Sequence, residues 1–139
     1  MSMTANDYLE KAERALTSAR LLLDSGDVEG ACNRAYYAMF DAAHAALLAS
    51  GAIAGGTPPK KHSSVIAAFG LQLVKTGQMA AELGSALNQV ERLRRLADYT
   101  GEPITPEQAQ WAVEQAGVFV AKVRQGPLCS THHPPSEEP

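Results

Sequence analysis

The stretch DVEGACNRAYYAMFDAAHAALLAS, residues 27–50, decides the fold. Within it Ala31, Ala35, Ala38, Ala42, Ala45 and Ala49 recur every three or four positions. That is the period of an α-helix, and the small side chains allow a neighbouring helix to approach closely. Tyr36, Phe40, Ala43 and Leu47 make a second apolar stripe beside the first. A helix that is apolar over so much of its circumference is either central to a bundle or shared with another subunit. It starts near Asp27 and ends at Ser50, where Gly51 supplies the stop.

The flanking segments carry narrower stripes. A first helix runs from near Asn6 to Ser25, with Leu9, Ala12, Leu16, Ala19 and Leu23 on one face and Gly26 after it. Residues 51–61, GAIAGGTPPKK, read as a flexible connector from their Gly and Pro content. A third helix is expected from His62 to Thr76, carrying Val65, Ile66, Phe69, Leu73 and Val74. A fourth is expected from Gln78 to Tyr99, with Met79, Leu83, Leu87, Val90, Leu93 and Ala97 inward. Thr105 as N-cap, Pro106 at the first helical position and Gln108 placed for a capping box start a fifth, which ends near Arg124. Trp111, Phe119, Val120 and Val123 read as its core residues. Short connections and single-stripe helices imply an all-α, antiparallel up-and-down bundle of four to five helices over residues 1–125. The tail 126–139, GPLCSTHHPPSEEP, has too little apolar area to fold and reads as disordered.

Composition narrows the function. At 139 residues the chain suits one domain that needs no disulfide or metal staple. No apolar run reaches the roughly 18 to 20 residues of a membrane span, and the N-terminus is charged where a signal peptide is apolar, so the expected location is cytoplasmic. Cys32 and Cys129 form no Cys-x-x-Cys pair, so neither metal nor cofactor is expected. A net charge of −3 excludes a basic footprint over the whole surface, so any nucleic acid must be met locally. No Walker A loop, GxGxxG or nucleophile elbow is present.

Two clusters carry candidate chemistry. In the second helix Arg34, Tyr37, Asp41 and His44 share one face at spacings of three, four and three. Asp41 could orient or charge His44, with Arg34 as an anion contact and Tyr37 as a stacking group; the alternative is a solvated outer face. In ERLRRLADY, residues 91–99, Arg92, Arg94 and Arg95 crowd positive charge into one turn. Arg94 sits at the edge of the buried stripe with Asp98 as its local partner, and Tyr99 follows. Planar guanidinium donors there suit a phosphate, with Tyr99 stacking or hydrogen bonding; ordinary Glu91–Arg95 and Arg94–Asp98 helix pairs are the alternative. His62, after Lys60 and Lys61, could reach the same groove or simply start its helix.

The segments NRAYYAMFDAAHAALL, KKHSSVIAAFGLQLVKTG and RLRRLADY resemble the HEPN domain, specifically its small stand-alone prokaryotic branch, over residues 6–124. The resemblance implies a helical bundle that often dimerises. It also implies pairing with a minimal nucleotidyltransferase in a toxin–antitoxin module, in which many members are metal-independent ribonucleases acting at the dimer cleft. Nuclease members carry an Arg, four to six residues, then a His, often followed by x-Tyr. Here Arg92 and Tyr99 take the outer positions and Ala97 stands where the His belongs, while Arg94 and Asp98 fit the Arg-x-x-Ala-Asp-Tyr ending of the stand-alone branch. In some members the motif Tyr accepts a nucleotidyl group from the partner.

The resulting expectation is a homodimer with Arg34, Arg94, Tyr37 and Tyr99 lining a cleft for RNA or nucleotide. Arg92, Arg95, Asp41, Asp98 and His62 are further contacts. Any cleavage would proceed by 2′-hydroxyl attack, Arg94 stabilising the phosphorane and His44 acting as base. The competing expectations are a non-catalytic binding module that lost the His, and a scaffold whose Ala-rich second helix is a dimer seam.

Overall fold

The computed structural model describes residues 3–51 and 62–126. Five helices follow in order: α1 Ala5–Asp24, α2 Val28–Ser50, α3 His62–Ala68 running into a π-helical segment Phe69–Val74, α4 Ala81–Thr100 and α5 Pro106–Gln125. Among the described residues there is no strand, so the all-α bundle read from the periodicity stands. The connector 52–61 and the tail 127–139 lie outside the described residues.

The helix ends are set by local chemistry. At α1 the Thr4 hydroxyl accepts from the Asp7 amide at 3.1 Å, while the Thr4 amide donates to the Asp7 carboxylate at 2.9 Å. The sequence reading began this helix slightly late because it passed over that reciprocal cap. Asp27 caps α2 by accepting from the Gly30 amide at 2.9 Å. Gly26, at φ 90°, makes the tight turn that folds α2 back against α1. At α5 the expected capping box forms, with Gln108 N–H donating to Thr105 Oγ1 at 3.1 Å and Thr105 N–H to Gln108 Oε1 at 2.9 Å. Thr105→Ala is expected to cost about 1 kcal/mol, read as a lower urea midpoint with unchanged m-value.

Two boundaries differ from the sequence reading. The third helix does not continue as α to Thr76: Lys75 N–H bonds the Gly70 carbonyl five residues back at 2.9 Å. Val65, Phe69 and Leu73, all fully buried, are spaced by four, and an α-helix of 3.6 residues per turn would rotate the last away from the core. The wider π turn keeps Phe69 and Leu73 aligned. α4 begins at Ala81 rather than Gln78 because Gln78 closes the preceding turn, its side-chain amide donating to the Gln72 carbonyl at 3.3 Å and to Thr76 Oγ1 at 3.1 Å. Met79 is nevertheless buried, as its place in the apolar stripe predicts.

α2 is the central element and packs against α1, α3, the π segment, α4 and α5. Its alanines meet Ala12, Ala15 and Ala19 of α1, all essentially fully buried, in a seam of small residues. The choice between a central helix and one shared with another subunit is thereby resolved within the chain: the Ala stripe is already covered, so it is not a dimer seam. Phe119 of α5 and Phe69 pack with ring centroids 5.2 Å apart at the centre of the core. Trp111 sits at the core margin, half-buried. The upper half of α4 has less cover, leaving Leu96 and Tyr99 exposed.

Candidate functional site

A cavity of about 350 Å³ opens where the N-terminal part of α2 faces the C-terminal part of α4 and the α4–α5 loop. Glu29, Gly30, Asn33 and Tyr37 form one wall; Arg94, Ala97, Asp98 and Ile104 form the other. Gly30 is required by its cap, because a Cβ there would stand 2.4 Å from the Asp27 carboxylate.

Arg94 organises the cavity. Its guanidinium lies 4.7 Å above the Tyr36 ring and 5.9 Å from that of Tyr37. Such stacking holds the planar group in place at low entropic cost. The side chain is only 22% exposed, and Nε has no hydrogen-bond partner among the described residues. The contact to Asp98 is long, 3.4 Å from Nη1 to Oδ2, and that carboxylate is 70% exposed. Arg94 is thus a half-buried cation with a weak counter-ion facing a polar cavity. Burial raises the Tyr36 phenol well above its ordinary pKa, and the Arg94 charge offsets part of this. Burial likewise pushes the Cys32 thiol up to about 11, against the pull of Arg94, so Cys32 stays a neutral core residue.

The three arginines of α4 separate. At 100° per residue Arg92 and Arg95 lie on one side and Arg94 on the other. Arg92 is exposed. Arg95 pairs with Glu91 at 3.2 Å and lines a second cavity of about 550 Å³ with Ser63, Ile66, Ala67, Gly70 and Asn88. Tyr99 is 81% exposed and does not line the Arg94 cavity. The side chain of His62 lies outside what the structure describes.

The stripe on α2 is not a solvated face: Asp41 is 4% exposed and His44 6%, both covered by α1. The His44 ring stacks on Tyr8 at 4.8 Å and meets Phe40 edge-on at 4.7 Å. It stands seven residues beyond Tyr37, roughly 10 Å along the helix, and does not line the Arg94 cavity. Arg34 does not line the cavity, though its guanidinium lies 5.6 Å from the ring of Tyr37, which does. Sequence reasoning assigned Tyr36 to the core alone and passed over Glu29, Asn33 and Ile104. The signal for Asn33 was its spacing of four from Tyr37, which puts both on one face.

Asp41 makes stability depend on pH. Burial pushes its carboxyl up from 3.8 to about 6, against the pull of Lys11, Arg34 and Arg14. The folded pKa is raised, so the contribution is fully present below 3.8 and is lost as pH rises through about 6. Asp41→Asn is expected to flatten this dependence and to stabilise the fold at pH 7 by on the order of 1 to 2 kcal/mol, checked by thermal melts from pH 4 to 8.

The HEPN domain family profile matches residues 5–126. A Methanocaldococcus jannaschii protein named "Putative toxin" is 35% identical over 116 residues, covering 84% of this chain and 83% of the relative. A UPF0332 protein of Gloeobacter violaceus is 34% identical over 122 residues, covering 86% and 93%. A second Methanocaldococcus jannaschii protein of the same "Putative toxin" name is 32% identical over 117 residues, covering 84% and 76%. Among the described residues no helix is long and apolar enough to cross a membrane. With the helical bundle and this coverage of nearly the whole described chain, the protein belongs to the HEPN domain family.

Proposed function

We propose that this HEPN protein is a toxin-like phosphate binder that takes RNA or a nucleotide in the Arg94 cavity. The carrying observation is Arg94 itself, a guanidinium stacked on Tyr36, held by only a long contact to the exposed Asp98 on its outer side and lining a polar cavity with Tyr37 and Asn33. A phosphate in the cavity would accept from the outer guanidinium nitrogens in place of Asp98, and Asn33 is placed to hydrogen bond a ribose or base. The toxin-like part rests on the names of two relatives.

The geometry favours recognition over cleavage. Ala97 lines the cavity at the place a nuclease histidine would take, and His44 is packed between Tyr8 and Phe40 away from it. Calorimetric titration with uridine 5′-monophosphate is expected to show binding that weakens as salt rises, and total tRNA in EDTA is expected to stay intact. Cleavage lost in both Arg94→Ala and His44→Ala would instead establish the metal-independent ribonuclease.

A second reading is favoured by the exposure of Tyr99, 81%. Its hydroxyl can attack the α-phosphate of a nucleotide held by a minimal nucleotidyltransferase partner, releasing pyrophosphate. The exposed Leu96 and Tyr99 on the same end of α4 also suit a homodimer contact. Co-incubation with such a partner and ATP should add one nucleotidyl mass to the wild type and none to Tyr99→Phe.

A further inference from the structure

The cavity that holds Arg94 is not a basic one. Its lining carries the Arg94 guanidinium together with the carboxylates of Glu29 on the α2 wall and Asp98 on the α4 wall, so one cation faces two anions. Arg34, beside Tyr37 but outside the lining, only brings the balance to even. The surroundings are acidic as well. Residues 21–33 and 96–107 build this end of the bundle, where α1 turns into α2 and α4 into α5. They hold Asp24, Asp27, Glu29, Asp98, Glu102 and Glu107, with no Lys, Arg or His. The nearest other cations do not offset them: Arg95 is paired with Glu91, Arg92 lies on the opposite side of α4 from Arg94, and Arg20 lies over Gly117, well down α5. Two helix N-termini and two C-termini meet at this end, so their dipoles cancel.

Cation and anions also differ in depth. The Arg94 side chain is 22% exposed, whereas that of Asp98 is 70% exposed and Glu29 is exposed too, so the carboxylates stand outside the guanidinium. A first phosphate inside the cavity gains Arg94. Each further phosphate on the same ligand meets the carboxylates, and the lining offers no second cation to answer it. A cavity of about 350 Å³ is no wider than roughly one Debye length at physiological salt, so this repulsion is not screened away.

We infer that Glu29 is a specificity-determining residue of this cavity, which takes a nucleoside monophosphate and discriminates against the di- and triphosphate. This rests on the proposed reading of the Arg94 cavity and adds the number of phosphates to it. Asp98 adds to the same repulsion, but it also pairs with Arg94, so its removal changes attraction and repulsion together. Glu29 forms no ion pair among the described residues, and its removal changes the repulsion alone.

The test titrates uridine 5′-mono-, di- and triphosphate against wild type, Glu29→Gln, Glu29→Asp and Arg94→Ala, with thermal melts confirming the fold. EDTA is present throughout, so that no divalent cation masks the charge of the ligand. Wild type should bind the triphosphate about tenfold more weakly than the monophosphate, the reverse of the order that a basic phosphate site gives. In Glu29→Gln the affinity for the triphosphate should rise about fivefold and that for the monophosphate no more than about twofold. Glu29→Asp, which keeps the charge, should keep the discrimination. A triphosphate bound by wild type as tightly as the monophosphate, with both lost in Arg94→Ala, would overturn the inference and leave the cavity standing. Discrimination unchanged in Glu29→Gln would overturn the role of Glu29. Monophosphate affinity untouched by Arg94→Ala, or no binding of any probe by wild type, would overturn the cavity reading and the inference together.

Discussion

Arg94→Ala is expected to lower the affinity for nucleotide or single-stranded RNA roughly 30- to 100-fold, a loss of about 2 to 3 kcal/mol, because hydrogen bonds to a charged group are the stronger class. The size follows from how the side chain is held. Tyr36 at 4.7 Å fixes the plane of the guanidinium, so little rotamer entropy is spent when a phosphate arrives. Asp98, mostly exposed and 3.4 Å away, competes weakly for the same donors. Arg94→Lys keeps the charge and loses both the planar fork and the stacking, so it should recover only part of the affinity. Stability should change little in either variant, since the surrendered ion pair is exposed on one side and contributes about 0 to 1 kcal/mol. Wild-type affinity in Arg94→Ala, measured beside matched melting curves, would remove the cavity from consideration as a phosphate site.

Phe119→Ala should produce the largest loss of stability, about 3 to 5 kcal/mol, because a fully buried aromatic is replaced by a cavity that the helices around it can close only in part. For a domain of this size that is a fall in melting temperature of roughly 10 to 20 °C. The damage should spread unevenly. Phe119 packs on Phe69, which opens the π-helical segment, and that segment is held through Phe69 and Leu73. Hydrogen exchange is therefore expected to accelerate across residues 65–74 before it does across the α1–α2 hairpin, whose Ala seam does not depend on the aromatic pair. Uniform acceleration over the whole chain would show that the π segment has no separate mode of opening.

The helical class and most helix ends were legible in the sequence for a local reason. Apolar spacing, the Thr105–Gln108 box and the glycines after α2 and α4 act within a few residues, so no knowledge of distant contacts is needed to read them. The third helix was misread where a local period of 3.6 was assumed, while burial of Val65, Phe69 and Leu73 together demanded a wider turn. The polar stripe of α2 was legible as a stripe but not as a buried one, because its cover comes from α1, with Tyr8 stacking on His44 from thirty-six residues earlier.

By itself the sequence determined five helices, the capping box of α5, the central place open to an Ala-rich α2 and the concentration of arginine at the end of α4. Only the tertiary structure decided which arginine serves. Arg92, Arg94 and Arg95 are equivalent in composition and differ in direction, and direction acquires meaning only when α2 is set against α4 and Tyr36 slides beneath one guanidinium of the three.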